Sequence, residues 1–178
     1  PLAGYGSFFG VTGLSLGGVF VCLFTQRVFH PHSRVALAAL VLLSGWFVLA
    51  SYGAWVLNVE KEQQGFGVWL GRWGSNLGMF AVYGWSTSAS LRYYARMRRR
   101  VRIGIGDPLV ANRFLLWGLG TFATLLVALL YIGTQLFGHY EMPASLIGIS
   151  STLVLASAIE EGLAFLPPQS YRERSVRA

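Results

Sequence analysis

Residues 109–137 read "LVANRFLLWGLGTFATLLVALLYIGTQLF" and contain one charged side chain, Arg113. A helix needs about 20 apolar residues to cross the hydrocarbon core of a bilayer, and this stretch supplies them. Backbone polar groups in lipid have to be paired within the segment, and the alternating polarity of a strand is absent, so the segment is expected to be helical. The stretch therefore predicts a transmembrane helix.

Four further stretches have the same character. Hydrophobic residues make up 54% of the chain and charged residues 12%, against about a quarter charged in ordinary soluble domains. The sequence thus predicts one all-α, polytopic membrane domain over 1–168, followed by a tail at 169–178. The five predicted transmembrane helices are 7–29, 35–59, 67–94, 109–137 and 143–166.

Basic residues are distributed unevenly over the predicted connections. Of the fourteen Lys and Arg, twelve lie within 27–34, 92–113 and 172–177, and the other two are Lys61 and Arg72. Because cytoplasmic connections are enriched in Lys and Arg, we expect the N-terminus outside and the tail in the cytoplasm. The net charge of +7 is attributed to this topology and not to nucleic-acid binding.

A glycine-rich stretch, "GIGDPLVANRFLLWG" at 104–118, leads into the fourth predicted helix. A phosphate-binding loop needs either two glycines around four residues with Lys-Ser/Thr behind them, or three spaced glycines between a strand and a helix. Neither pattern is present. Asp107 can instead accept hydrogen bonds from free helix amides, and Pro108 suits the first helical position. The stretch predicts a helix start and no nucleotide site.

The segments "DPLVANRFLLWG" at 107–118 and "LAFLPPQSYRER" at 163–174 resemble the end of a group of uncharacterised bacterial multi-pass membrane proteins. These proteins are similar to the membrane input regions of sensor kinases and related signalling proteins. The first two predicted helices share with seven-pass sensor modules a short basic turn, "QRVFHPHSR", before an Ala/Leu-rich helix. The resemblance implies a signal-input function in the inner membrane of a bacterium, and it assigns no catalytic or ligand residue.

The first and third predicted helices carry glycines at helical spacing. Small residues at this period let two helix backbones approach closely, which matters in lipid because helices associate there by packing. We expect a seam between these two helices, either internal to the chain or shared with another subunit. The glycines are Gly6, Gly10, Gly13 and Gly17 in the first helix and Gly67, Gly71, Gly74 and Gly78 in the third.

Two carboxylates, Glu160 and Glu161, lie in the last predicted helix at the same expected depth as Arg113. Ionisable groups inside a membrane are expensive and are usually paired or functional. The expected arrangement is an ion pair with Arg113 or with an arginine of 92–102. Proton or ion transfer, and a placement without function, are the alternatives.

An aromatic cluster surrounds Arg72 near the outer end of the third predicted helix. Aromatic rings and an arginine that reaches the headgroups are typical of an interfacial anchor. A pocket for an anionic or aromatic ligand is the alternative interpretation. The cluster consists of Trp69, Arg72, Trp73 and Asn76, with Tyr52 and Trp55 from the second helix.

The chain offers few residues for metal, cofactor or catalytic chemistry. Its three histidines, His30, His32 and His139, lie in predicted connections, and its one cysteine is Cys22. No metal-ligand set and no haem attachment can be assembled from them. Because Lys61 is the one lysine and lies outside the predicted helices, a retinal Schiff base is excluded. We expect a protein that is not an enzyme and has no cofactor.

Two functions fit these observations. The first is a sensor-like input module that passes helix shifts through its tail to a cytoplasmic effector. The second is an accessory or assembly subunit of a larger bioenergetic or pigment-binding complex, with lipids and other membrane subunits as partners. A small transporter ranks third, since the chain shows no internal repeat and no broken charged helix.

Overall fold

The computed structural model describes residues 2–60, 64–137 and 143–165, and every regular element within them is helical. The all-α class is therefore confirmed. The predicted tail at 169–178, together with Lys61 and His139, lies outside the described residues. The α-helices are α1 (Leu2–Phe29), α2 (Arg34–Trp55), α3 (Phe66–Trp69), α4 (Ser75–Arg102), α5 (Pro108–Leu136) and α6 (Ala144–Phe165).

Two π-helical turns interrupt the α-helical pattern. One, Val56–Glu60, extends α2, and the other, Leu70–Gly74, joins α3 to α4. We refer to the continuous helical segment 66–102 as rod 3. The bundle thus consists of five rods at nearly the boundaries expected from hydropathy, except that α1 begins five residues earlier, at Leu2, and rod 3 ends eight residues later, at Arg102.

Four helical segments are long and apolar enough to cross a membrane, namely Phe8–Phe29, Arg34–Glu60, Pro108–Leu136 and Ser145–Phe165. Rod 3 lies among the other rods, because α4 packs on both α5 and α1 while its π turn packs on α2. A helix enclosed in this way meets little lipid, so small and hydroxyl-bearing residues replace aliphatic ones; Gly78, Ser86 and Ser90 are all buried. The membrane crossing by rod 3, in addition to these four, stays a prediction. The small and hydroxyl-bearing residues of rod 3 explain why its hydropathy is lower than that of the four other segments.

The arginine run, which was expected to be a connection, is the helical end of α4. Arginine is a good helix former and is favourable near a helix C-terminus. Gly104 then ends the helix with a left-handed φ of 75°, while its amide bonds to Val101 O and the amide of Ile105 to Arg100 O. This pair of bonds is the Schellman arrangement, which favours glycine at the left-handed position.

The start of α5 confirms the interpretation of the Asp-Pro pair. Asp107 Oδ1 accepts a hydrogen bond from the amide of Leu109 at 2.8 Å, and Pro108 is the first helical residue. The glycines before them therefore end α4 and form the tight turn that leads to α5. Arg34 and the arginines of α4 lie at the end of the bundle where α5 begins, which we call the arginine-rich end.

The tightly packed centre of the bundle is formed by α1, α2 and α4. Cys22, Phe47 and Val82, one from each of these helices, are almost fully buried and form its core. In contrast, α6 packs extensively only on α5 among the described elements. It is therefore the least enclosed helix, a property that shapes the site described next.

Candidate functional site

A cavity of about 220 Å³ lies at the arginine-rich end, between α1, α5 and α6. It is half open, because α6 follows α5 and leaves a gap towards α1. The lining residues come from the last two turns of α1, the first three turns of α5 and the last turn of α6. The lining consists of Phe24 and Val28 from α1, Val110, Arg113, Phe114 and Trp117 from α5, and Ala164 and Phe165 from α6.

Aromatic rings form the floor of this cavity. The ring centroid of Trp117 lies 4.5 Å from that of Phe24 and 5.3 Å from that of Phe165, and Phe24 and Phe165 are 5.7 Å apart. These separations and the steep interplanar angles are those of favourable aromatic pairs. The contact of Phe165 with Phe24 joins the end of α6 to α1, so this ring triangle closes the bundle where the helices otherwise part.

Arg113 is the one charged residue that lines the cavity. Its Nε atom is buried and has no hydrogen-bond partner. A guanidinium remains charged in proteins, and a buried donor without an acceptor is costly. The cavity therefore combines an apolar wall with one unsatisfied cationic donor.

The expected ion pair between Arg113 and Glu160 or Glu161 is not formed among the described residues. The Glu161 carboxylate accepts a hydrogen bond from Ser157 Oγ at 3.2 Å, and its side chain covers Gly120, where a Cβ would lie 3.0 Å from Glu161 Cγ. Gly120 follows Arg113 by seven residues, or about 10 Å along a helix. The space left by the missing side chain of Gly120, which we call the Gly120 notch, thus accommodates Glu161 at a distance from Arg113.

Hydroxyl groups connect α4, α5 and α6 near this notch. Ser157 Oγ is 2.9 Å from Thr124 Oγ1 and so links Glu161 to α5. One turn earlier on α5, Thr121 Oγ1 accepts a hydrogen bond from Thr87 Oγ1 of α4 at 3.0 Å. Hydroxyl pairs between membrane helices typically contribute about 0.6 kcal/mol each, so these pairs set helix register more than overall stability.

The aromatic residues expected around Arg72 face different neighbours. Trp55 packs on α1, with its ring centroid 5.3 Å from that of Phe8, whereas Trp69 meets Trp46 of α2 at 6.3 Å. Tyr52 is largely exposed. Trp73 and Asn76 are half-buried on rod 3. The two tryptophans thus do not line one common pocket.

The π turn of rod 3 is held by side chains from both sides. The carbonyl of Gly74 accepts a hydrogen bond from Trp46 Nε1 at 2.7 Å, and the carbonyl of Arg72 accepts one from Gln135 Nε2 at 2.8 Å. A π turn disturbs the regular helical ladder, and backbone groups in its vicinity need partners. Arg72 therefore contributes its backbone to the contact between rod 3 and α5.

All four glycines expected in the third helix lie against a neighbouring helix. That neighbour is α2, where the backbones of Gly71 and Gly53 are in direct contact. A Cβ at any of the four would be crowded by α2 side chains or backbone. The glycines are Gly67, Gly71, Gly74 and Gly78.

The prediction that the first helix packs against these glycines was wrong. A Cβ added at Gly6, Gly10, Gly13 or Gly17 would meet no atom within 4 Å. The close approach of α1 to α2 occurs one residue further along, where a Cβ at Gly18 would lie 2.5 Å from the Phe47 ring. The Phe47 ring fills the space beside Gly18. The spacing of the glycines along α1 does not reveal where this ring lies.

Sequence reasoning missed the aromatic cavity. The available signal was the concentration of rings near the ends of three helices that share the arginine-rich side, namely Phe24, Phe114, Trp117 and Phe165. In the part of the chain that the structure describes, no group of three or more His, Cys, Asp or Glu residues is placed to hold a metal ion.

Comparisons of the chain with protein-family models, with curated proteins and with solved structures give no match. The resemblance to sensor input regions therefore stays a prediction.

Proposed function

We propose that the chain is a non-enzymatic membrane input module in which α6 changes position relative to α1 and passes this shift to a cytoplasmic partner. The observation that carries the proposal is the cavity between α1, α5 and α6. It lies beside the contact of Phe165 with Phe24, which joins the end of α6 to α1. Occupation of such a space favours one position of α6 over another, which is the physical requirement for a ligand-driven shift.

The packing of α6 supports this role. It packs extensively on α5, in part through the Gly120 notch and the Thr124–Ser157 pair, but among the described elements it has little contact with the core of α1, α2 and α4. Shifts of one helix by about 1–2 Å are common in signalling proteins. A rigid core with one peripheral helix is suited to such a shift.

A labelling experiment tests the movement of α6. In a Cys22→Ser background, spin labels at Val35 of α2 and Leu163 of α6 report the distance between core and α6. We expect the cavity-filling substitution Ala164→Leu to change this distance by about 2 Å, because Ala164 is buried in the cavity wall. A second pair, Val35 with Ile103 at the end of α4, should stay unchanged.

The matched control is Ala158→Leu, which places the same side chain on the exposed face of α6. It should leave both distances as they are. Equal distances in the parent and in Ala164→Leu would contradict the input-module proposal, since the cavity would then not control the position of α6.

The proposal places the arginine-rich end in the cytoplasm of a bacterial cell. A fluorescent protein that matures in the cytoplasm alone should fluoresce when it replaces the chain after Arg34 or after Arg100, and should stay dark when it replaces the chain after Gln63 or after His139, because basic segments remain inside. Whole-cell fluorescence, normalised to protein level, measures the result. Fluorescence after Gln63 would overturn the orientation, and equal fluorescence after Gln63 and after Arg100 would overturn the crossing by rod 3.

The open glycine face of α1 favours a second candidate function, an accessory subunit of a larger membrane complex. Gly6, Gly10, Gly13 and Gly17 leave space that a neighbouring helix can enter closely. Purification in mild detergent followed by mass spectrometry distinguishes the two functions. A stoichiometric membrane subunit that is lost in Gly13→Leu supports the accessory function.

A further inference from the structure

We infer that the cavity at the arginine-rich end binds an anionic amphiphile, a carboxylate or phosphate group on an aliphatic chain, with Arg113 as the ligand of the anionic group. This inference rests on the proposed function in taking the cavity as the place where α6 is controlled. The charge of the cavity, the chemistry of its wall and its size fit such a ligand.

The charge of the cavity selects an anion. Arg113 is the one charged side chain in the lining, and its Nε is buried without an acceptor. Within the described residues neither Glu160 nor Glu161 forms a salt bridge with Arg113, and Glu161 accepts a hydrogen bond from Ser157. A guanidinium binds carboxylate and phosphate oxygens through paired N–H donors.

The wall selects an aliphatic chain. Apart from Arg113, the lining consists of aromatic and aliphatic side chains from α1, α5 and α6. Val28 and Phe165, at the border of the cavity, are exposed to the surroundings of the bundle. An aliphatic chain that leaves the cavity between them enters the region occupied by lipid tails, which is an apolar environment.

The size of the cavity agrees with a partly enclosed ligand. Sites that enclose a whole small molecule have about 300–1,000 Å³, whereas this cavity has about 220 Å³ and is half open. It therefore holds a headgroup and the first part of a chain. Arg113 lies five residues after the start of α5, about 7 Å along the helix, a depth at which headgroups are found.

Quenching of Trp117 fluorescence provides a direct test. The probe is dibrominated stearate, added to the full chain in nanodiscs of phosphatidylcholine, because bromine quenches an indole in contact with it. We expect saturable quenching that disappears in Trp117→Phe, since Trp117 is the tryptophan that lines the cavity. The methyl ester of the same probe has the same chain without the charge and should require at least about tenfold more probe.

Substitutions separate the guanidinium from general surface charge. Arg113→Gln should raise the half-saturating concentration of dibrominated stearate about tenfold, and Arg113→Lys should give a smaller increase because the charge remains. The matched control, Arg96→Gln, removes an exposed arginine of α4 at the same end and should leave binding unchanged. If Arg113→Gln does not fold, the comparison of acid and methyl ester on the unmodified chain still shows whether binding requires the anionic group.

Each outcome has a defined meaning. Quenching by brominated phosphatidylglycerol in addition to stearate supports the inference and identifies phospholipid as a source. Equal quenching by acid and ester, unchanged binding in Arg113→Gln, or full competition by inorganic phosphate would overturn it. Saturable quenching without a change in the Val35–Leu163 distance would retain the ligand and remove the input-module function, whereas the reverse result would retain the function and remove this ligand class.

Discussion

Replacing Gly53 by alanine is expected to lower the free energy of unfolding in detergent micelles by about 3 kcal/mol, the upper part of the range for overpacked sites. The added Cβ would lie 2.5 Å from the Gly71 amide nitrogen and 2.6 Å from the Leu70 carbonyl carbon. Backbone atoms cannot rotate away as a side chain can. The helices must therefore separate, and the π turn of rod 3 must move with them.

The matched control for this seam is Gly45→Ala on the same helix, where a Cβ meets no atom within 4 Å. Alanine is the better helix former by up to about 1 kcal/mol, so this variant should be unchanged or slightly more stable. Thermal unfolding followed by circular dichroism compares the two. If both variants unfold at the same temperature, α2 and rod 3 do not pack as described.

Substitution of Trp117 by alanine is expected to have the second large effect, a loss of about 3 kcal/mol in the free energy of unfolding. Trp117 is 7% exposed, packs between Phe24 and Phe165, and donates from Nε1 to Ser86 Oγ at 3.1 Å. Its removal leaves a void among three helices and a buried hydroxyl with one partner fewer. The loss of these ring contacts should also loosen the end of α6.

Two further variants separate the ring from its hydrogen bond. Trp117→Phe retains an aromatic ring and should lose about 1 kcal/mol, of the order measured for hydrogen bonds between membrane helices. Phe122→Ala removes a ring from the same helix at a position that is 43% exposed and should change stability little. A loss in Phe122→Ala equal to that in Trp117→Ala would show that the aromatic triangle does not hold the helices together.

Helix positions were largely accessible from the sequence, because hydropathy and helix-end chemistry are local properties. Asp107 and Pro108 start α5 where their chemistry predicts. The C-terminal end of α4 was misjudged, since a dense arginine run resembles a solvated loop in composition although arginine has a high helix propensity. Gly104, with its left-handed φ, marks the true end of that helix.

Side-chain partners were less accessible, because they depend on how the rods are arranged. Glycine spacing located the close approach on rod 3, but four glycines on α1 with the same spacing have open space beside them. Spacing shows which residues share a face and leaves open which helix covers that face. Equal expected depth likewise suggested that Glu161 meets Arg113, whereas the Gly120 notch and Ser157 hold the carboxylate elsewhere.

The helical continuation of α4 through its arginines limits the kind of motion that the bundle can make. In the proposed orientation, six arginines of 92–102 surround one rigid helix like a collar at the membrane surface, where each gains about 1 kcal/mol from anionic headgroups. A piston stroke of rod 3 towards the other leaflet would drag this collar into hydrocarbon, where charges are expensive. In the proposed input module, rod 3 is thus fixed in depth, and a signal would travel as tilt or sideways displacement of the helices around it.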